Sequence, residues 1–176
     1  MILGLDVSTS ITGATIIDKK GNVLMWEAWD TRKYKSFFDK ASVIRTRLLD
    51  VRTEFPITEV VIEQSLQMFR AGFSSAKTLT TLSKFNGVVS WLCYNTFGLE
   101  PEYVSATSAR KNVGISVKRG QKAKKVVIKF VLDNEPQFDV QYTKHGNPRP
   151  ECFDKADSWV IAKFGYNTWQ QKRKKS

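Results

Sequence analysis

Residues 2–18, ILGLDVSTSITGATIID, decide the fold. ILGLDV (2–7) is apolar on both faces, which predicts a strand central in a sheet. STSITG (8–13) is dense in hydroxyls and closes on a Gly. ATIID (14–18) then reads as a second strand, and KKGN (19–22) is turn chemistry. VLMWEAW (23–29) follows as a third strand. Three strands joined by short turns make an antiparallel meander. Asp6 is the misfit in this stretch. A carboxylate in a central strand costs several kcal/mol unless something pairs with it.

Outward from the meander, Phe37, Ala41, Ile44, Leu48 and Val51 recur at helical spacing, which predicts a helix from Ser36 to Glu54, closed by Pro56. TEVVIEQ (58–64) is a short strand with Val60 and Ile62 on one face and Val61 and Glu63 on the other. A long helix is expected from Ser75 to Tyr94, ended by Gly98, and EYVSA (102–106) is a fifth strand. A helix over Gln121–Leu132 comes next. Residues 134–150 carry three prolines and read as a loop. The last helix runs from Phe153 to Phe164 and stops at Gly165. The order is an α/β one, a mixed five-stranded sheet with an antiparallel meander, then parallel strands, flanked by helices. Residues 1–167 make one domain, and 168–176 a basic tail open to disorder.

The chain has 176 residues, 41% of them hydrophobic, enough for a core without covalent staples. No stretch approaches the roughly 20 apolar residues of a membrane span. The N-terminus lacks a basic region and a cleavage site, so a cytoplasmic, unsecreted protein is expected. Its two cysteines, Cys93 and Cys152, are far apart and outside any CxxC pattern, which excludes a disulfide framework and a Cys-based zinc site.

Net charge is +11, from 28 Lys and Arg against 17 Asp and Glu. A polyanionic partner is favoured, because each phosphate neutralised releases counterions. The charge is also clustered. Residues 106–131 hold Arg110, Lys111, Lys118, Arg119, Lys122, Lys124, Lys125 and Lys129 with no acidic residue, and the tail adds Lys172, Arg173, Lys174 and Lys175. Clustering is what a nucleic-acid footprint requires.

Glu63 repeats the anomaly of Asp6 at the end of VVIE. Each alone could meet a Lys or Arg, or cap a loop amide. Asp154 and Asp157, three residues apart, share one helix face. By themselves they would be an ordinary acidic first turn suited to the helix dipole. Together, two strand-end carboxylates and two on one helix turn can converge on hard divalent cations, which take oxygen ligands. Two such ions about 4 Å apart can hold both the attacking water and the leaving oxygen of a phosphodiester.

At these residues the chain resembles RuvC-like Holliday junction resolvases, a branch of the RNase H-like fold. GLDVSTSITGATIID is similar to the family's first motif and VVIEQS to its second. VSATSARKNVGI with KAKKVV resembles its basic segment, and FDKADSWVIA its closing D-x-x-D pair. The motifs run in order from residue 2 to about 164, at family-like spacing. The resemblance implies a homodimer that nicks opposed strands of a four-way DNA junction using Mg²⁺ or Mn²⁺, two ions per site. It implies Asp6, Glu63, Asp154 and Asp157 as catalytic metal ligands. Lys111, Lys118, Arg119, Lys122, Lys124 and Lys125 are the candidate nucleic-acid contacts. Bacterial members carry an aromatic three residues after the Glu, where this chain has Leu66, with Met68 and Phe69 just beyond. The tail and the Pro-containing loop also depart from the pattern, as in a divergent, phage- or virus-type member.

Met68, Phe69 and Phe73 could be apolar wedges that unstack bases, or core or dimer-interface residues. His145, the single His, could assist water activation or be an exposed loop residue. Leu79, Leu82, Phe85 and Val89 mark an apolar face on the long helix, usable in part for a dimer contact, though core packing is the simpler use. Three rival readings compete. An actin-like phosphotransferase shares the G-x-D-x-[ST] look of the first strand but needs two such domains and a second Gly-rich loop. An RNase H-type enzyme on RNA/DNA hybrids keeps the fold and changes the substrate. A binding protein with a lapsed active site would not need all four carboxylates.

Overall fold

Residue parity in the first strand sorts the helices onto two faces of one sheet. The computed structural model describes residues 1–65 and 76–174. The elements are β1 (Ile2–Asp6), β2 (Ile11–Ile17), β3 (Val23–Asp30), α1 (Phe37–Glu54), β4 (Glu59–Glu63), α2 (Ala76–Phe97), β5 (Glu102–Val104), α3 (Ala106–Val113), α4 (Ala123–Asn134) and α5 (Pro150–Arg173). The strands lie in the order β3-β2-β1-β4-β5. β1 pairs antiparallel with β2, and β2 with β3, while β4 and β5 run parallel to β1. This is the expected α/β mixed sheet, with β1 at its centre.

Successive side chains in a strand point to opposite faces. Leu3 and Leu5 pack with Ile44, Leu48, Phe85 and Val89 of α1 and α2. Ile2 packs on the other face, with Trp159, Val160 and Ile161 of α5. Gly4 and Asp6 share the parity of Ile2 and therefore belong to the α5 side. In β4, Val60 and Ile62 join the α1–α2 core, and Val61 joins the α5 core, so Glu63 also falls on the α5 side. The alternation read from VVIE is the one observed.

Three glycines let α5 lie close on the sheet. A Cβ at Gly4 would stand 2.3 Å from the Ala162 backbone nitrogen, and one at Gly13 would stand 2.0 Å from the Asp154 carbonyl oxygen. On the helix itself, a Cβ at Gly165 would meet Val61 and Ile2 side chains at 2.8 and 2.9 Å. Gly165 is thus a contact point and not the expected stop. The helix continues through it to Arg173, and it begins earlier than expected, with Pro150 at its first turn, where a missing N–H is harmless. Residues 168–173 of the basic tail are helical.

Other boundaries shift for local reasons. β2 starts at Ile11 because Ser8 completes the turn in few residues: its Oγ accepts from the Ser10 and Ile11 amides at 3.2 and 3.0 Å. The fifth strand stops at Val104, since Ser105 caps α3, its Oγ accepting from the Ser108 amide at 3.1 Å. That helix was unexpected; it ends at Gly114, at φ 92°. α2 runs to Phe97, with Gly98 beyond it at φ 69°. Phe85 and Val89 on α2 are fully buried in the core, so they are not dimer contacts. Both cysteines are buried and free.

Candidate active site

β1 and β4 are parallel neighbours, with Leu5 paired to Ile62, so their C-terminal ends lie side by side. Asp6 and Glu63 close those two ends on the α5 face. The register Asp6↔Gly13 then sets the height of the helix, because α5 passes over Gly13 at Asp154. Asp157 follows less than one turn later on the same helix face. A buried hydroxyl contact fixes this stretch: Ser158 Oγ donates to the Lys155 carbonyl at 2.8 Å, which leaves Thr15 to donate to Ser158 at 2.8 Å.

The result is one cleft of about 330 Å³ lined by Asp6, Glu63, Asp154, Asp157, Arg110 and Lys124, among others. All four expected carboxylates come together there. Asn86 on α2 supports the end of β4, donating to the Glu63 carbonyl oxygen at 2.9 Å. Arg110, on α3, reaches the cleft although its place in the basic run gave no hint of it. Asn86 and Arg110 were both missed as site residues because each enters from a helix whose position depends on the sheet.

Among the described residues, four carboxylates share this space with two cations, Arg110 and Lys124. Burial pushes the Asp6 carboxyl well above the usual carboxylate range, and the charges of Glu63, Asp157 and Asp154 add to it. Burial, then Asp157, raises Glu63 to about 7, against the pull of Arg110 and Lys124. Burial lifts Asp157 to about 6, with Lys124 opposing. Asp154 is raised by burial and drawn back by Lys124. Lys124 Nζ lies 3.2 Å from Asp154 Oδ1 and 3.8 Å from Asp157 Oδ2. Repulsion on this scale in a partly desolvated cleft is relieved by protonation or by bound cations.

The donor set fits a hard divalent ion: all oxygen, anionic and gathered in one cleft. Among the described residues, no three Asp, Glu, His or Cys side chains are yet drawn to the spacing of a closed coordination shell. Asp6, Glu63, Asp154 and Asp157 are the residues that could hold such ions, with waters completing the shell.

The basic segment divides. Lys124 is in the cleft itself. Lys111 lines an adjoining hollow of about 570 Å³ with Arg110, Gly114 and Ser116. Lys118, Arg119, Lys122 and Lys125 are exposed around the α3–α4 connection and the start of α4 and are not among the cleft-lining residues. His145 is exposed in the loop and does not line the cleft. The wedge candidates Leu66, Met68, Phe69 and Phe73 lie outside the described residues. Trp159 is buried and Trp169 packs against the α5 core.

No protein-family profile matches the chain, and no curated protein sequence matches it either. Solved structures do. RuvC from T. thermophilus in complex with a Holliday junction substrate superposes with a TM-score of 0.67 at 17% identity, covering 97% of this chain and 94% of that one. Thermus thermophilus RuvC alone gives 0.65 at 18% identity, over 97% of this chain and 96% of that one. The yeast mitochondrial Holliday junction resolvase Ydc2 gives 0.60 at 15% identity, over 98% and 80%. At these identities the likeness is one of fold. The chain has the RNase H-like fold of the RuvC-type resolvases, as its motifs implied.

Proposed function

We propose that this protein is a divalent-metal-dependent endonuclease that cuts four-way DNA junctions by paired symmetric nicks, acting as a homodimer. The observation that carries the reading is the convergence of Asp6, Glu63, Asp154 and Asp157 on one cleft beside Arg110 and Lys124. A fold shared with resolvases supports it.

The carboxylates would hold two Mg²⁺ or Mn²⁺ ions, which supply Lewis-acid activation of a water and of the leaving oxygen. The chain's own residues do the remaining work. Arg110 presents a planar, permanently charged donor set at the cleft wall, suited to a non-bridging phosphate oxygen. Lys111 stands beside it in the adjoining hollow, where the next phosphate of a strand would run. Hydrolysis adds the water oxygen to phosphorus and releases one ester oxygen as a hydroxyl. Asn86 holds the Glu63 backbone still during that exchange.

One acidic cluster cuts one strand, whereas a junction needs two symmetric cuts to yield clean duplexes. A two-fold dimer supplies two sites related by the symmetry axis of the junction. No helix of the described residues is long and apolar enough to cross a membrane, and a cytosolic setting suits a DNA substrate.

The test compares four-way, three-way and linear DNA with an RNA/DNA hybrid, in Mg²⁺ and in EDTA, alongside light scattering. Symmetric nicks on opposed strands of the four-way substrate, and about twice the chain mass of 20.1 kDa, are expected. A monomer that cuts hybrid or linear duplex as fast as junctions would sink the resolvase reading.

A further inference from the structure

Lys124 sits where a helix would not place a cation unaided. It is the second residue of α4, whose first turn carries no acidic residue and whose N-cap, Lys122, makes no side-chain cap. The positive end of the helix dipole disfavours an ammonium there, and the neighbouring Lys122 and Lys125 repel it. Its head is nevertheless drawn to the Asp154–Asp157 pair, at 3.2 and 3.8 Å. The acids are deep, with side chains 14% and 18% exposed, whereas the lysine side chain is 60% exposed. The lysine therefore reaches the cluster from the solvent side and has open space to return to.

We propose that Lys124 is an internal counter-cation: in metal-free protein it neutralises Asp154 and Asp157, and an incoming divalent ion must displace it to bind. The proposal rests on the reading of those two aspartates as metal ligands. The distances make the conflict plain. An ammonium within hydrogen-bond reach of Asp154 occupies the acceptor oxygens that a metal needs, and it repels a doubly charged ion at close range. Once displaced, the flexible side chain is free to meet a phosphate at the mouth of the cleft. Lys124 is thus a positioning residue that holds Asp154 and Asp157 and offsets their mutual repulsion until metal arrives.

The experiment is Mn²⁺ binding to the full chain, followed by the loss of the free-ion EPR signal, with thermal melting in EDTA as a second readout. Lys124→Gln should bind Mn²⁺ about tenfold tighter than wild type, the scale on which neighbours of a metal site act. It should also melt lower than wild type in EDTA and gain more from added Mn²⁺. Lys124→Arg, which keeps the charge, should stay within about twofold of wild type, as should Lys125→Gln, which removes a nearby charge outside the cluster. Unchanged or weaker Mn²⁺ binding by Lys124→Gln would overturn the proposal, as would equal tightening by Lys125→Gln. Asp157→Asn separates the two ideas. If it leaves Mn²⁺ binding intact, the ligand reading itself fails. If it abolishes binding while Lys124→Gln binds no tighter, only the counter-cation role falls.

Discussion

Gly13 on β2 touches the backbone of Asp154 on α5: a Cβ on the glycine would stand 2.0 Å from the Asp154 carbonyl oxygen. The helix that carries half of the acidic cluster rests on the strand next to the one that carries Asp6. Beside the acidic cluster, the close approach of α5 to the sheet depends on the lack of a side chain at Gly13, as it does farther along at Gly4.

Gly13→Ala is expected to push α5 outward. Overpacking of this kind costs about 1–3 kcal/mol or more, and a displacement near 1 Å at a catalytic group can cost about a hundredfold in rate. Gly87→Ala is the contrast: an exposed α2 position with nothing within 4 Å of an added Cβ. It should stabilise by about 0.5–1 kcal/mol through helix propensity. Melting curves and junction cleavage by both variants check this, and equal melting temperatures would refute it.

Asp6→Asn, Glu63→Gln and Asp157→Asn are each expected to end cleavage while leaving DNA binding largely intact. Changes to the neighbours of metal ligands already cost about 10–100-fold, so loss of a ligand should cost more. Removing negative charge from a phosphate-binding cleft should, if anything, tighten binding. Gel-shift and nicking assays in Mg²⁺ decide the matter residue by residue. A variant that cuts at near wild-type rate leaves the ligand set.

The same carboxylates make metal-free stability pH-dependent, with a sign opposite to that of salt-bridged acids. Glu63 and Asp157 titrate in the folded protein near 7 and 6, above their ordinary range. Between about pH 4 and 7 the native state therefore binds more protons than the unfolded chain, and stability falls as pH rises. In EDTA the melting temperature should drop from about pH 5 to about pH 8 by more in wild type than in Glu63→Gln. Mg²⁺ at the upper pH should restore it, since the ion binds the deprotonated form. A parallel pH response of the two proteins would exclude Glu63 as a source of the effect.

Affinity for DNA should fall linearly in log salt, with a slope of about −0.9 per phosphate neutralised on duplex arms. Lys124→Ala with Lys125→Ala should make that slope shallower and weaken all sequences alike. Arg110→Ala should add to this and also slow cleavage, because Arg110 lines the cleft itself. Identical slopes for the double variant and wild type would place the two lysines outside the interface.

Much of this was legible in the chain because it depends on local period. ILGLDV and VVIE are short strand patterns in which Asp6 and Glu63 each close a strand, and the parallel register Leu5↔Ile62 then puts the two on one face. The three-residue spacing of Asp154 and Asp157 is equally local. Ser105 and Gly114 are cap signals for α3, and a run of basic residues between and beyond them hides the short helix in the sequence. Gly165 departs from the expected helix stop for a physical reason: a glycine that stops a helix and one that presses a helix onto a sheet look alike in sequence. The difference lies in Val61 and Ile2, more than 100 residues away along the chain.

The sequence by itself determined the order of the strands and of every helix but α3, the two faces of β4 and the inventory of four carboxylates. Those follow from side-chain period and from the cost of an apolar strand that carries a charge. Only the tertiary structure decided that α5, not α1 or α2, lies over Asp6 and Glu63. It also decided that Arg110 and Asn86 enter the site, and that Lys124, one of several similar lysines, is the one that reaches the acids. Such choices depend on how closely backbones approach across the sheet, and that is fixed by contacts between residues far apart in the chain.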